Sequence, residues 1–182
     1  MTLVAARIKR ILLIGVALLL PLNCKAEESP LATSFIPPPN WELVDSSKLA
    51  PSVVISFLHP SKKEFPPSIN LAKEKTTLSL SNYVKAVQKM YESDPSNRWR
   101  NLGNLQIKAG KGILTSIEKL TPFGNARIFQ FFFLEKETVH ILTAAALQKD
   151  FATHQKTFLE CFASFSLEPT ENIKTSKQNN PN

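Results

Sequence analysis

The stretch ARIFQFFFL at residues 126–134 decides the fold of this 182-residue chain. It is almost wholly apolar and contains three consecutive phenylalanines at 131–133. Such an unbroken run is typical of a central strand that is covered on both faces or lies against a helix. The charged triplet EKE at 135–137 predicts a turn, and VHILT at 139–143 predicts the strand that returns beside the first.

Strand patterns continue on the N-terminal side of this hairpin. Ile69 and Leu71 alternate with Asn70 and Ala72, which predicts a strand with two different faces. The glycines of AGKG at 109–112 permit the positive φ of a hairpin turn. Further strands are predicted at residues 41–44, 53–58, 68–75 and 113–120.

Two helices are predicted from apolar stripes with a period of 3.6 residues. The first begins after Ser79, whose hydroxyl can cap a free amide of the first turn. Its stripe consists of Leu80, Tyr83, Val84, Val87 and Tyr91. The second begins near Lys149, and a short closing strand follows at 164–167. Its stripe consists of Phe151, His154, Phe158, Cys161, Phe162 and Phe165.

The order of these elements resembles the PsbP-like fold, which photosystem II extrinsic subunits share with bacterial envelope proteins such as DcrB. The resemblance covers residues 35–168 and rests on aromatic and hydrophobic spacing. It is carried by Trp41, Ser56-Phe57, Ile69-Asn70-Leu71, the helix start LSNYV at 80–84, Gly112, Gln130-Phe131, Leu142-Thr143-Ala144, Phe151, Phe158 and Ser164-Phe165. It implies an α+β fold in which a curved antiparallel β-sheet is sandwiched between helices. It implies no shared active site.

The first 26 residues have the layout of a secretory signal. Arg7, Lys9 and Arg10 precede an unbroken apolar stretch at 11–20. This stretch is too short for a stable membrane span, which needs roughly 20 apolar residues. The sequence Cys24-Lys25-Ala26 has small residues at both positions that the signal peptidase reads. Cleavage is therefore predicted after Ala26.

Lipoprotein processing is the rival interpretation of the same segment, and it would make Cys24 the acylated first residue. That processing favours a small residue before the cysteine and an aliphatic residue three positions before it. Asn23 and Pro21 occupy those places, so cleavage after Ala26 is the preferred prediction. The membrane contact is then transient, through the signal segment, unless a lipid is attached to Cys24.

The rest of the chain is divided by composition into three parts. Residues 27–40 are predicted to be an extended lead-in, since three prolines at 37–39 cannot donate ladder hydrogen bonds. Residues 41–168 are predicted to form a single α+β domain. Residues 169–182 are polar, and a disordered tail is predicted there.

The net charge does not indicate a nucleic-acid partner. The formal charge is +7, but four of the 22 basic residues lie in the first 26 positions, which contain no acidic residue. The remaining 18 basic and 15 acidic residues give +3. Such a small charge is ordinary for a soluble domain.

The residues that usually carry catalysis or bind metals form no recognisable motif. His59, His140 and His154 are far apart in the sequence and lack partners at ligand spacing. Cys161 is predicted to be buried and inert, because free cysteine is among the most buried residue types. No catalytic residue, metal site or cofactor is therefore predicted, and an enzyme is the least favoured class.

One surface feature, Arg98-Trp99-Arg100, is a candidate for ligand or partner binding. Two guanidinium groups beside an indole can hold an anion or a carbohydrate through charge and stacking. The alternative is a tryptophan that packs inward between two solvated arginines, and this alternative is favoured because isolated charge clusters are seldom sites.

These observations predict an exported accessory or binding module of the periplasm or cell envelope, without catalysis. Its partner would be a protein or an envelope component. Two alternatives stay open at this point: a secreted factor that acts outside the cell, on a host for instance, and a membrane-tethered lipoprotein of the same fold.

Overall fold

The computed structural model describes residues 31–169 of the chain. Within this range the chain forms nine strands, two α-helices and one 3-10 helix (Ser46–Lys48). The strands are β1 (Leu31–Ser34), β2 (Glu42–Leu43), β3 (Val53–Leu58), β4 (Ser68–Lys75), β5 (Arg98–Ile107), β6 (Gly110–Thr121), β7 (Gly124–Glu135), β8 (Thr138–Leu147) and β9 (Ser166–Pro169). The helices are α1 (Leu80–Glu92) and α2 (Gln148–Ala163).

Seven of the strands form one antiparallel sheet in the order β2-β3-β4-β8-β7-β6-β5. The strands from β5 to β8 follow one another as hairpins. The long excursion through α1 separates β4 from β5, so β4 pairs with β8 rather than with its successor in the chain. The remaining strands, β1 and β9, pair with each other in a separate two-stranded sheet.

One helix covers each face of the large sheet. Side chains alternate along every strand, so a strand such as β7 contributes apolar residues to both faces. On β7, Phe129, Phe131 and Phe133 pack with α2 in one apolar cluster. Ile128 and Phe132 point the other way and pack with α1 in a second cluster. The predicted α+β fold, an antiparallel sheet sandwiched between helices, is confirmed, and β7 is the doubly covered strand that its sequence predicts.

Both helices begin where the sequence predicts. The Ser79 hydroxyl caps α1 by accepting a hydrogen bond from the Asn82 amide at 3.4 Å. On its buried side α1 presents Tyr83, Val84, Val87 and Tyr91 to the sheet. The helix α2 has no side-chain cap and starts directly after β8. It is held instead by its buried aromatic stripe against the opposite face.

The segment before β2 is tied to α2 and to the sheet. The Ile36 amide donates to Ser164 Oγ at 2.9 Å, and the Phe35 ring meets the Phe57 ring edge-on at 5.7 Å. Trp41 packs against the α2-side cluster. Strand β1 lies within residues 27–40, the predicted lead-in. Strand β9 ends at Pro169.

The predicted signal segment, its cleavage after Ala26 and the acylation of Cys24 lie outside the described residues. So do residues 27–30 and the tail beyond Pro169, and the division of the chain into four parts stays a prediction. None of the helices within residues 31–169 is long and apolar enough to cross a membrane.

Candidate functional site: a polar row beneath α1

A row of polar residues crosses the large sheet on the face that α1 covers. Strand register places one polar residue of each strand directly beside the next, over six strands. From β3 to β5 the row is Ser56, Asn70, Thr143, Gln130, Thr115 and Asn101. Buried polar side chains are more informative than exposed apolar ones, because burying them costs free energy unless they are paired.

The row runs between two apolar rows of the same face. On one side, Ile128 of β7 lies opposite Ile117 and Ala145. On the other side, Phe132 lies opposite Ile113 and Ile141. The middle of the polar row is thus enclosed by the core, since Thr115, Gln130 and Thr143 are all buried, whereas Asn101 at one end is exposed.

Gln130 lies in the middle of the row with its hydrogen bonds incompletely satisfied. Its side chain is 3% exposed, and Nε2 donates to Thr143 Oγ1 at 3.4 Å. Its Oε1 is buried and has no partner among the described residues. The Tyr91 hydroxyl is also buried without a hydrogen-bond partner among the described residues. Burial raises the pKa of Tyr91, and the nearby Gln130 side chain offsets part of that rise. An unpaired buried acceptor costs about 1–3 kcal/mol.

A carboxylate and a phenol meet on the same face, beyond the apolar row that contains Phe132. The Tyr83 hydroxyl of α1 donates a hydrogen bond to Glu74 Oε2 of β4. Partial burial raises the pKa of Glu74, and the bond from Tyr83 offsets part of that rise. Burial, with the neighbouring carboxylate, also raises the pKa of Tyr83, so this phenol is a hydrogen-bond donor at neutral pH.

A narrow cleft opens between α1 and the β3–β4 side of the sheet. Its lining mixes polar and apolar side chains: Ser52, Val53, Asn70, Ala72, Glu74, Tyr83, Val87, Gln130, Phe132, Ile141 and Thr143. The cleft encloses about 400 Å³ of empty space when the open solvent at its mouth is included. Its enclosed part has room for about one water-sized group. The geometry suits a ligand with a small polar head.

Comparison with solved structures identifies the architecture. LpqN, involved in cell envelope biogenesis of Mycobacterium tuberculosis, is 14% identical with a TM-score of 0.59, over 79% of this chain and 87% of LpqN. Cyanobacterial PsbP (CyanoP) from Synechocystis sp. PCC 6803 is 12% identical with a TM-score of 0.51, over 81% and 99% of the two chains. The chain has a PsbP-like fold.

A third similar structure is PA94 of Pseudomonas aeruginosa, a protein of unknown function. It is 13% identical with a TM-score of 0.54, over 72% of this chain and 99% of PA94. No family model and no curated protein matches the chain. Identities this low establish the fold alone, so the site has to be argued from the residues themselves.

Two of the histidines that are separated in the sequence come together on the α2 side of the PsbP-like fold. The rings of His59 and His154 lie 5.0 Å apart, and the Trp41 ring meets them at 5.6 and 6.1 Å. This pair is therefore close in space although its members are 95 residues apart in the sequence. The reason is that the turn after β3 reaches across to α2.

Charges surround this histidine pair. Lys63 Nζ lies 2.8 Å from Asp150 Oδ2, one helical turn before His154. Burial and the neighbouring His59 lower the pKa of His154, while Asp150 acts in the opposite direction. Within residues 31–169, no three His, Cys, Asp or Glu side chains are arranged to hold a metal ion.

The third histidine is a core residue. His140 of β8 is 3% exposed and lies between the rings of Phe133 and Phe165, at 6.4 and 5.6 Å. Burial, aided by Lys73, lowers its pKa to about 4. It is therefore neutral at physiological pH. Cys161 is buried as predicted, with its thiol directed to the Ile36 carbonyl at 3.3 Å, and burial raises its pKa to about 11.

The candidate surface Arg98-Trp99-Arg100 starts the edge strand β5. Trp99 packs against the α1-side cluster, and its Nε1 is buried without a partner among the described residues. Arg98 and Arg100 are exposed. The partly buried indole thus packs inward against the core while the two guanidinium groups face solvent, which is the arrangement of the alternative interpretation.

Sequence reasoning missed the polar row, although its signal is present in the strands. Gln130 interrupts IFQFFF, Thr143 interrupts HILTAA, and Asn70 interrupts SINLA. Each is a polar residue with an apolar neighbour on both sides in the sequence. Their alignment depends on the pairing register, which no single strand reveals.

Proposed function

We propose that this chain is an exported accessory module of the cell envelope, which binds a protein or another envelope component in the cleft beneath α1 and performs no catalysis. The proposal joins two independent lines of support. One is the cleft with its partly unsatisfied polar floor. The other is the arrangement of the N-terminal segment, which is typical of a secretory signal.

The observation that carries the binding role is the unpaired Oε1 of Gln130. Replacing a buried amide by an apolar side chain of similar size is often neutral or stabilising, whereas leaving one half-satisfied costs free energy. The amide lines a cleft with a carboxylate, hydroxyls and apolar walls. Such a mixture of apolar walls and a few convergent polar groups is typical of binding sites.

The envelope location is supported by the signal pattern and by a structural likeness. LpqN, which shares the fold, is involved in cell envelope biogenesis. We transfer only this compartment to the present chain. The small net charge beyond the signal segment, +3, also argues against a polyanion as partner.

Intact mass and N-terminal sequencing of the processed protein from its native envelope test the export. A chain that begins at Glu27 supports a soluble exported module. An acylated chain that begins at Cys24 supports the membrane-tethered alternative. A full-length chain that begins at Met1 contradicts export, and recovery from culture medium alone favours the secreted factor.

A photo-crosslinking amino acid at Val53, which lines the cleft, tests the binding role in intact cells. The matched control carries the same amino acid at Leu120, which is 62% exposed and lies outside the cleft. We expect one adduct of defined mass from position 53 and none from position 120. Identical adduct patterns from the two positions would contradict a specific cleft.

A further inference from the structure

Two side chains of the cleft, Glu74 and Gln130, offer free hydrogen-bond acceptors. The Tyr83 hydroxyl is already used as a donor to Glu74, and the Gln130 amide nitrogen donates to Thr143. Gln130 Oε1 has no partner among the described residues. Glu74 has one oxygen beyond the bond from Tyr83, and its side chain makes no other hydrogen bond or ion pair there. A group that donates hydrogen bonds can therefore be held at Glu74.

The charge of the cleft favours a cation. Glu74 is the only charged residue in the part of the lining that the structure describes. It has no basic side chain within ion-pair distance among the described residues. Partial burial raises the pKa of Glu74, because it disfavours the charged carboxylate. A positive charge beside Glu74 would stabilise that carboxylate.

The size and the walls of the cleft restrict the shape of that cation. The enclosed part takes about one water-sized group, which matches an ammonium head and is too small for a planar guanidinium. The lining of the cleft also includes Val53, Ala72, Val87 and Ile141. Apolar walls suit a methylene stem, as long charged side chains bury their stems and keep a polar head.

We propose that the cleft beneath α1 binds a primary alkylammonium group, whose head is held by Glu74 and whose stem lies along the apolar side chains of the lining. This inference rests on the proposed binding function and names its ligand chemistry. The ammonium can belong to a lysine side chain of a partner protein or to a free diamine. The chemistry of recognition is the same for both sources.

Titration of the processed protein with n-butylammonium chloride tests the proposal, with ¹H–¹⁵N spectra that follow the Gln130 side-chain amide and the Thr143 backbone amide. We expect saturable shifts with a dissociation constant on the order of 1 mM, as suits so small a ligand. Sodium chloride at equal ionic strength should leave these signals in place, and n-butylguanidinium should bind more weakly. Absence of saturable shifts, or equal shifts with sodium chloride, overturns the proposal.

Glu74→Gln keeps the shape of the side chain and removes its charge, so binding should weaken about tenfold or more, the scale of a lost charge-assisted hydrogen bond. Glu92→Gln is the matched control, because Glu92 lies on exposed α1 surface outside the cleft. Its affinity should equal that of the parent protein. Equal affinity in Glu74→Gln overturns the proposal, even if that variant is fully folded.

The pH dependence gives a second readout that needs no variant. The affinity for n-butylammonium should be highest above the raised pKa of Glu74, where the carboxylate is charged. It should fall as the pH drops through that pKa. An affinity independent of pH across the titration of Glu74 contradicts the proposal.

Two further ligands distinguish the sources of the ammonium group. Tighter binding of N-acetyl-lysine N-methylamide than of 1,4-diaminobutane indicates a lysine of a partner protein, and the reverse order indicates a free diamine. Both orders support the ammonium site. If none of the amines binds while the Val53 crosslink persists, only the ligand chemistry is wrong and the proposed function stands.

Discussion

The two faces of the sheet are built on different principles. The α2 face is an apolar cluster that contains eight buried phenylalanines. The α1 face is divided by the polar row, and its cluster is interrupted at Gln130 and Thr143. Close apolar packing is the main source of stability, whereas buried polar groups cost free energy unless they are satisfied. The difference assigns most of the stability to the α2 face and the binding chemistry to the α1 face.

The largest effect on the free energy of unfolding is expected from a substitution in the apolar cluster of the α2 face. Phe162 of α2 is fully buried and packs beside Phe131, with the ring centroids 6.3 Å apart. Phe162→Ala should lower the free energy of unfolding by about 3–5 kcal/mol, because it removes buried apolar area and leaves a cavity. Urea denaturation measures this loss.

Leu120→Ala is the control for that variant, since Leu120 is 62% exposed. Its effect should stay within about 0.5 kcal/mol. A loss below about 1 kcal/mol in Phe162→Ala would show that the phenylalanine cluster does not dominate the stability.

Low pH should reduce the stability of the protein through His140, which lies on the same face. The pKa of this histidine is about 4 in the fold and 6.5 otherwise, so the unfolded chain binds more protons between these pH values. The stability should be full above pH 6.5 and should fall by up to about 3 kcal/mol as the pH drops toward 4. Urea denaturation at pH 7, 5.5 and 4.5 measures this slope.

His140→Leu sharpens the acid prediction. It removes the titrating group together with a buried Nδ1 that has no partner among the described residues. The variant should match or exceed the parent in stability at pH 7 and should lose much of the slope between pH 6.5 and 4. His154, whose pKa is also lowered, accounts for a smaller remainder. An unchanged slope in His140→Leu would contradict the assignment.

The α+β architecture was accessible from sequence because it follows from local periodicity. The apolar run of β7, the turn at 135–137 and the stripe of α1 each carry their own signal. Strand β1 was missed, since its four residues, LATS, show no strand pattern and pair only with the distant β9. Pairing between segments that lie far apart in the chain leaves no local trace.

The candidate site was missed for the same physical reason. Asn70, Gln130 and Thr143 lie far apart in the chain and become neighbours only through strand register. His59 and His154 likewise meet only because a turn after β3 reaches α2. Arg98-Trp99-Arg100 stood out in the sequence because its residues are adjacent, yet its indole packs against the core.

A smaller effect is expected on the same face, at the hydrogen bond between Tyr83 and Glu74. Tyr83→Phe removes the hydrogen bond to Glu74 and should cost about 1 kcal/mol in the free energy of unfolding. The pKa of Glu74 should rise further, because the bond from Tyr83 lowers it in the parent. A carboxyl-detected NMR titration measures this change.

Tyr91→Phe is the matched control on the same helix. Its hydroxyl is buried without a hydrogen-bond partner among the described residues, so its removal should cost little or should stabilise. Equal losses in Tyr83→Phe and Tyr91→Phe would indicate that the Glu74 bond contributes nothing specific.

The smallest effect on stability, and the most informative, is expected at the centre of the row. Gln130→Leu exchanges a half-satisfied amide for an apolar side chain of similar volume, so the free energy of unfolding should change by less than about 1 kcal/mol or should rise. The same variant should reduce the adduct formed from the crosslinking amino acid at position 53, because Gln130 lines the same cleft. A residue that contributes binding at no benefit to stability is one that the fold itself does not require. A loss above about 2 kcal/mol in urea denaturation would instead make the row a structural feature, and the contrast between the two faces would disappear.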